Sequence, residues 1–199
     1  MNIATMIRAV QAQLGIQVDG CAGPETWSAV YARIVGPVAA PENEAPPADP
    51  RSEQYIATLL PEVRPLARAL IEKAALHGIV IRIVSGSRSY AEQDALYAKG
   101  RSQPGAKVTN ARGGYSNHNF GIAFDIGVFE GNRYLGDSPK YKAVGALGRD
   151  LGLEWGGSWK SLVDQPHYQL RPLWAAGISE RDMLTELRRR VASGAGVFG

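Results

Sequence analysis

Apolar residues fall at helical spacing at Met6, Ile7, Val10 and Leu14, and Gly15 ends the run. After a turn at Val18-Asp19-Gly20, Gly23-Pro24 opens a second stripe through Trp27, Val30, Tyr31 and Ile34, with proline suited to the first helical position. The pattern predicts a small all-helical module over residues 1–35. Residues 36–50, GPVAAPENEAPPADP, hold five prolines and almost no large apolar group. Such a stretch cannot build a core and predicts an extended linker.

Beyond the linker the periods alternate. Val63, Leu66, Leu70 and Ala74 predict a helix from Glu62 to Leu76, ended at His77-Gly78, where the imidazole suits exposed carbonyls and has a structural role. Ile79 to Val84, IVIRIV, reads as a strand. Ser89 and Glu92 form a capping box for a helix running to Lys99. Residues 101–119 are polar and aperiodic, as functional loops often are. A strand follows, with Ile122, Phe124 and Ile126 on one face and Ala123, Asp125 and Gly127 on the other.

Residues 131–137 read as a turn or exposed loop, and Ser138-Pro139 opens a helix with Tyr141, Val144, Leu147 and Leu151 as its apolar stripe. Leu153 to Trp155 and His167 to Leu170 read as short strands. Ser179 caps a last helix carrying Met183, Leu184, Leu187 and Val191, and the tail SGAGVFG is expected to fray. The predicted class is α+β: a small antiparallel sheet flanked by helices, preceded by the helical module. The boundaries are 1–35, 36–50, 51–178 and 179–199, the last being the final helix and tail.

Composition narrows the partners. The 199 residues carry a formal charge of +3, which favours an anionic partner such as a bacterial cell-wall polymer. No long Lys/Arg stripe accompanies it, so nucleic acid is not expected, and the Arg188-Arg189-Arg190 run reads as a solvated helix end. Cys21 is the single cysteine, which excludes an intrachain disulfide. The start MNIATMIRAVQAQLG lacks a basic segment followed by a long apolar core, and no stretch approaches 18 apolar residues. A monomer made in the cytoplasm without a signal peptide or membrane insertion is expected; action in the periplasm or wall requires release by something else.

The candidate chemistry lies in YSNHNFGIAFDIG, residues 115–127, and in Asp164-Gln165-Pro166-His167. Two of the three histidines sit there. Asp125 lies inside an apolar run, where a carboxylate needs a strong partner. Zinc accepts imidazole nitrogen and carboxylate oxygen, and catalytic sites keep one position open. One reading is therefore Zn²⁺ held by His118, Asp125 and His167, with Asp164 as acid/base and a bend at Asn119 turning His118 inward. In the other, His118 is a loop histidine, Asp125 a turn or cap residue, and Asp164 a turn former before Pro166. The same ligands suit a non-haem iron triad, but the many helices argue against that fold. A serine hydrolase is weaker, since no GxSxG elbow is present. Arg88, at an expected strand end, could hold a substrate carboxylate or an oxyanion, or be a surface ion-pair partner.

SNHNFGIAFD, residues 116–125, resembles the S-x-H-x-x-G-x-A-x-D signature of the LAS, or VanY-like, zinc metallopeptidases of the M15 type. GSRSYAEQ resembles their G-x-R-x-x-x-x-Q segment, and DQPH their D-x-x-H ending. The resemblance covers about residues 52–171 and implies His118, Asp125 and His167 as zinc ligands, Asp164 as acid/base, and Arg88, Gln93 and Ser116 at the substrate. The intervening YAKGRSQPGAKVTNARGG and GLEWGG resemble the phage endolysin branch that cuts peptidoglycan between L-Ala and D-Glu. A D,D-carboxypeptidase, a secreted antibacterial effector and a non-catalytic wall-binding protein stand as alternatives. IRAVQAQLGIQVDGCAGPETWSAV, residues 7–30, resembles a peptidoglycan-binding domain, although shorter and without a clear third helix; otherwise it is a packing hairpin.

Overall fold

The computed structural model describes residues 2–34, 49–160 and 162–199, so the proline-rich segment up to residue 48 lies outside the described residues. The chain divides into two units, Met1–Pro47 and Ala48–Gly199.

The first unit contains α1 (Ile3–Leu14) and α2 (Pro24–Ile34). Asn2 caps α1 by accepting from the Thr5 amide, and Gly15 ends it in the left-handed conformation. The connecting loop is held by one buried side chain. Gln11 donates to Asp19 Oδ1 at 2.7 Å, to the Cys21 carbonyl and to Thr26 Oγ1, and accepts from the Gly20 amide at 2.8 Å. Gln11, Asp19, Gly20 and Thr26 thus form a polar staple between the two helices. Met6, Val10, Trp27, Val30 and Ile34 line an open apolar groove on this unit.

The second unit opens with α3 (Pro50–Ala57), which periodicity did not predict, and α4 (Arg64–Leu76). Asp49 caps α3 through the amides of Arg51 and Ser52, and Pro50 takes the first turn. His77 ends α4 with its Nδ1 2.9 Å from the Lys73 carbonyl, the structural place expected for it. Then follow β1 (Val80–Ser85), α5 (Tyr90–Ala98), β2 (Ala123–Glu130), β3 (Arg133–Leu135), α6 (Lys140–Asp150), β4 (Glu154–Trp155), β5 (His167–Gln169) and α7 (Glu180–Ser193). The Ser89/Glu92 capping box starts α5 as expected. β3 occupies part of the stretch expected to be loop.

The sheet is antiparallel, ordered β1-β2-β5-β4, with β3 paired to the end of β2. Its core joins Ile56, Val63 and Leu70 of the helices to Ile83, Phe124 and Ile126 of the sheet and Tyr141 of α6. Each such fully buried side chain contributes about 1.5–3 kcal/mol. A second cluster packs Met183, Leu184 and Leu187 of α7 on Phe120 and Ile122. The last helix is therefore part of this unit's core. Nor is the tail frayed: Trp174 Nε1 donates to the Val197 carbonyl at 2.8 Å, and Phe198 packs against both clusters. Among the described residues no helix is long and apolar enough to cross a membrane.

Candidate metal centre

Strand register builds the centre. Asp125 of β2 lies opposite Ser85 of β1 on one side and opposite His167 of β5 on the other. His118 arrives from the loop before β2, on a 3₁₀ turn, Asn117–Phe120. The bend falls at Gly121 (φ 69°) rather than at Asn119, and a Cβ there would meet Leu60 at 3.1 Å. Glycine is what that conformation and that space admit. The turn is pinned from outside: the His118 carbonyl accepts from the Arg88 amide at 2.9 Å and from Ser87 Oγ at 3.1 Å.

The three side chains converge. His118 Nε2 and His167 Nδ1 each stand 3.3 Å from Asp125 Oδ1, and one ligand atom from each residue lies within 4.8 Å of the others. Each histidine has its far nitrogen tied: His118 Nδ1 donates to the Gly86 carbonyl at 2.7 Å, and His167 Nε2 donates to Gln169 Oε1 at 2.9 Å. With the far nitrogens as donors, the neutral form of each ring leaves a lone pair on the nitrogen that faces the aspartate. Two oriented imidazoles and one carboxylate fit a zinc-type ion.

The electrostatics agree with a cation site. Burial pushes the Asp125 carboxyl up, yet the charge and hydrogen bonds of His118 and His167 outweigh it and hold the group well below the carboxylate range. For His167 burial pulls down, and Asp125 more than offsets this, raising it above 6.5. Asp164 sits half-buried on the same cleft, its carboxylate in no hydrogen bond or ion pair among the described residues. Burial and the Asp125 charge raise its pKa. Gly156 makes room for it: a Cβ there would lie 2.6 Å from the Asp164 carbonyl.

Arg88 turns toward Asp125, with Nη2 3.0 Å from Oδ2. It also donates to Gln93 Oε1 at 2.9 Å and twice to Ser85 Oγ. Gln93 is fully buried and donates onward to Thr109 Oγ1 and the Ala111 carbonyl. Expected at the substrate, Gln93 stands behind Arg88 and braces the 109–111 loop. Ser116 lines the cleft, which holds about 440 Å³.

Residues 109–170 match a family model of the M15 type described as D-alanyl-D-alanine carboxypeptidase. A peptidoglycan L-alanyl-D-glutamate endopeptidase, CwlK of Bacillus subtilis, is 40% identical over 126 residues, covering 57% of this chain and 74% of that protein. The chain belongs to the M15 peptidase family. An L-alanyl-D-glutamate peptidase from a Listeria phage is 31% identical over 122 residues, covering 60% of this chain and 40% of that protein. Among solved structures, the L-Ala D-Glu endopeptidase ChiX of Serratia marcescens is 26% identical with a TM-score of 0.48, covering 61% of this chain and 87% of that one.

Around the ligands of this M15 peptidase lies a polar network that residue types alone did not reveal. Gln169, fully buried, accepts from His167 and from Asn117 Nδ2 and donates to Glu154 Oε2 at 2.6 Å. Arg171 joins Glu154 (2.6 Å) to Glu180 (2.8 Å), and Asn117 also donates to Glu180. The neighbours of both histidine ligands are thus tied to one ion-pair chain. A partial signal existed, since residues i and i+2 on a strand share a face and His167 and Gln169 are so spaced. Trp159, also missed, places its ring 5.0 Å from that of His167. The arginine run is occupied: Arg188 bonds the Gly114 carbonyl and covers Tyr115, while Arg189 and Arg190 pair with Glu186.

Proposed function

We propose that this chain is a zinc-dependent endopeptidase that hydrolyses the bond between L-Ala and D-Glu in peptidoglycan stem peptides. The observation that carries the reading is the convergence of His118, Asp125 and His167, with their far atoms tied, on a cleft where Asp164 stands free. The names of the two curated relatives support the choice of bond.

A zinc ion held by His118, Asp125 and His167 would supply Lewis-acid polarisation and lower the pKa of water. In this reading Asp164, on the same cleft, takes a proton from the attacking water and returns one to the leaving amine. Its raised pKa suits a group that must do both. Arg88 fixes Asp125 by taking Oδ2, which leaves Oδ1 to the histidine side. Four of its five N–H donors are in bonds. The fifth remains for a substrate oxygen, and the Ser116 hydroxyl is a second polar contact in the cleft.

The helical module, residues 1–35, is read as a wall anchor, which the resemblance of residues 7–30 to peptidoglycan-binding domains supports. Tethering it to the peptidase would raise the local concentration of stem peptides without new contacts. A monomer with no nucleic-acid partner is part of this proposal.

The rival is removal of terminal D-Ala, favoured by the description of the matching family model. Mass analysis of products from purified peptidoglycan separates the two. New N-terminal D-Glu on released peptides supports the endopeptidase; release of D-Ala alone overturns it.

A further inference from the structure

A second groove, of about 590 Å³, adjoins the cleft, and Trp159 and Glu180 line both. Glu154, Arg171 and Glu180 lie along it. Their charges are largely met: Arg171 pairs with both carboxylates, Gln169 donates to Glu154, and Asn117 donates to Glu180. Two other charged groups line this groove, Arg149 and Lys160, both exposed and in no ion pair or hydrogen bond among the described residues. Leu153, Trp155 and Trp159 supply an apolar wall. The unneutralised charge of the groove is therefore positive, and it stands beside a surface able to cover an extended chain.

We propose that this groove extends the substrate site and takes the carboxylate-bearing half of the stem peptide, the half that begins at D-Glu, with Arg149 and Lys160 as its cations. The assignment rests on the endopeptidase reading and deepens it. The bond between L-Ala and D-Glu divides the stem peptide unequally in charge. On the L-Ala side the sugar's lactyl carboxyl is consumed in an amide. On the D-Glu side lie the free α-carboxylate of the γ-linked residue and the C-terminal carboxylate. An acidic chain crossing the centre gains from the arm with free cations, so electrostatics sets the direction of the peptide as well as its affinity.

The test uses the zinc-loaded full chain and two synthetic peptides, N-acetyl-L-Ala-γ-D-Glu-L-Lys-D-Ala with free carboxyls and the same peptide with its carboxyls amidated. Lys160→Gln and Arg149→Gln should each raise KM for the acidic peptide about two- to fivefold, the range expected of one exposed ion pair. The kcat should hold, and the amidated peptide should be cut as by wild type. Lys160→Glu should enlarge the difference. Variants that match wild type on both peptides, or lose equally on both, overturn the groove assignment while leaving the endopeptidase reading intact. Wild type that cuts neither peptide between L-Ala and D-Glu overturns that reading, and the groove assignment with it.

Discussion

Asp125 stands opposite His167 in the β2–β5 ladder, and Oδ1 of the one lies 3.3 Å from Nδ1 of the other. A one-residue slip would turn either side chain to the far face of the sheet, so backbone register itself sets this pair. Arg88 holds Oδ2 of the same carboxylate, and His118 approaches Oδ1 from the loop side. One aspartate is thereby oriented by a cation on one oxygen while the other oxygen is left to the histidines.

The Gln169 amide is expected to govern metal affinity without touching the metal. Gln169→Leu removes the acceptor that ties His167 Nε2 and leaves Glu154 without its amide donor. Loss of such an outer partner costs about 10–100-fold in metal affinity. Competition with a chromophoric chelator measures it directly; unchanged affinity in a folded variant would show that the amide does not orient His167.

Zinc should stabilise the protein more as pH rises. In the metal-free chain the His167 pKa is raised, so its contact with Asp125 contributes stability fully below the ordinary value of 6.5 and loses it as pH climbs through the raised folded value. Metal needs the deprotonated ring and competes with that proton. The depressed Asp125 pKa adds nothing to the trend, because that carboxylate is ionised across the whole window. The difference in Tm between zinc-loaded and chelated protein should therefore widen from pH 5.5 to 8. A constant or narrowing difference would contradict the assignment of ligands.

Asp164→Asn should keep the metal and lose the chemistry. The side chain lies on the cleft but outside the ligand triad, so zinc content should match wild type. The kcat should fall by about 10²–10⁴, the usual worth of a positioned acid/base. Parallel loss of zinc would instead make Asp164 a ligand.

How far the centre could be read in the sequence depended on the range of each signal. The convergence of His118, Asp125 and His167 was legible because histidine is scarce here and a carboxylate inside an apolar run demands a partner. α4 and α6 followed from their apolar stripes, although α6 has Pro139 rather than Ser138 at its cap position, and α7 followed from its stripe and its Ser179 cap. α3 did not, since its eight residues begin at the last proline of the linker, although Asp49 and Pro50 form a proper start. β3 is three residues long and exists through its pairing with β2. The docking of Val197 and Phe198 depends on where Trp174 and the core lie in space, which local composition does not encode. The Glu154–Gln169 bond likewise depends on the β4–β5 register, where the two residues face each other.

The bend at Gly121 offers a local check. Gly121→Ala forces a side chain into left-handed backbone and against Leu60. A cost of about 1–2 kcal/mol is expected from the backbone alone. Because the residue ends the turn that carries His118, weaker zinc binding should accompany the lower Tm. A stability loss with no change in zinc affinity would uncouple the turn from the centre.

Zinc stoichiometry measured alongside cleavage tests the zinc-dependent endopeptidase most directly. Metal-free protein titrated with zinc should recover L-Ala–D-Glu cleavage in step with one bound ion per chain. His118→Ala and His167→Ala should each bind markedly more weakly and recover no cleavage at that ratio. Wild type that cuts fully without metal, or variants that bind and cut as wild type does, would contradict the account.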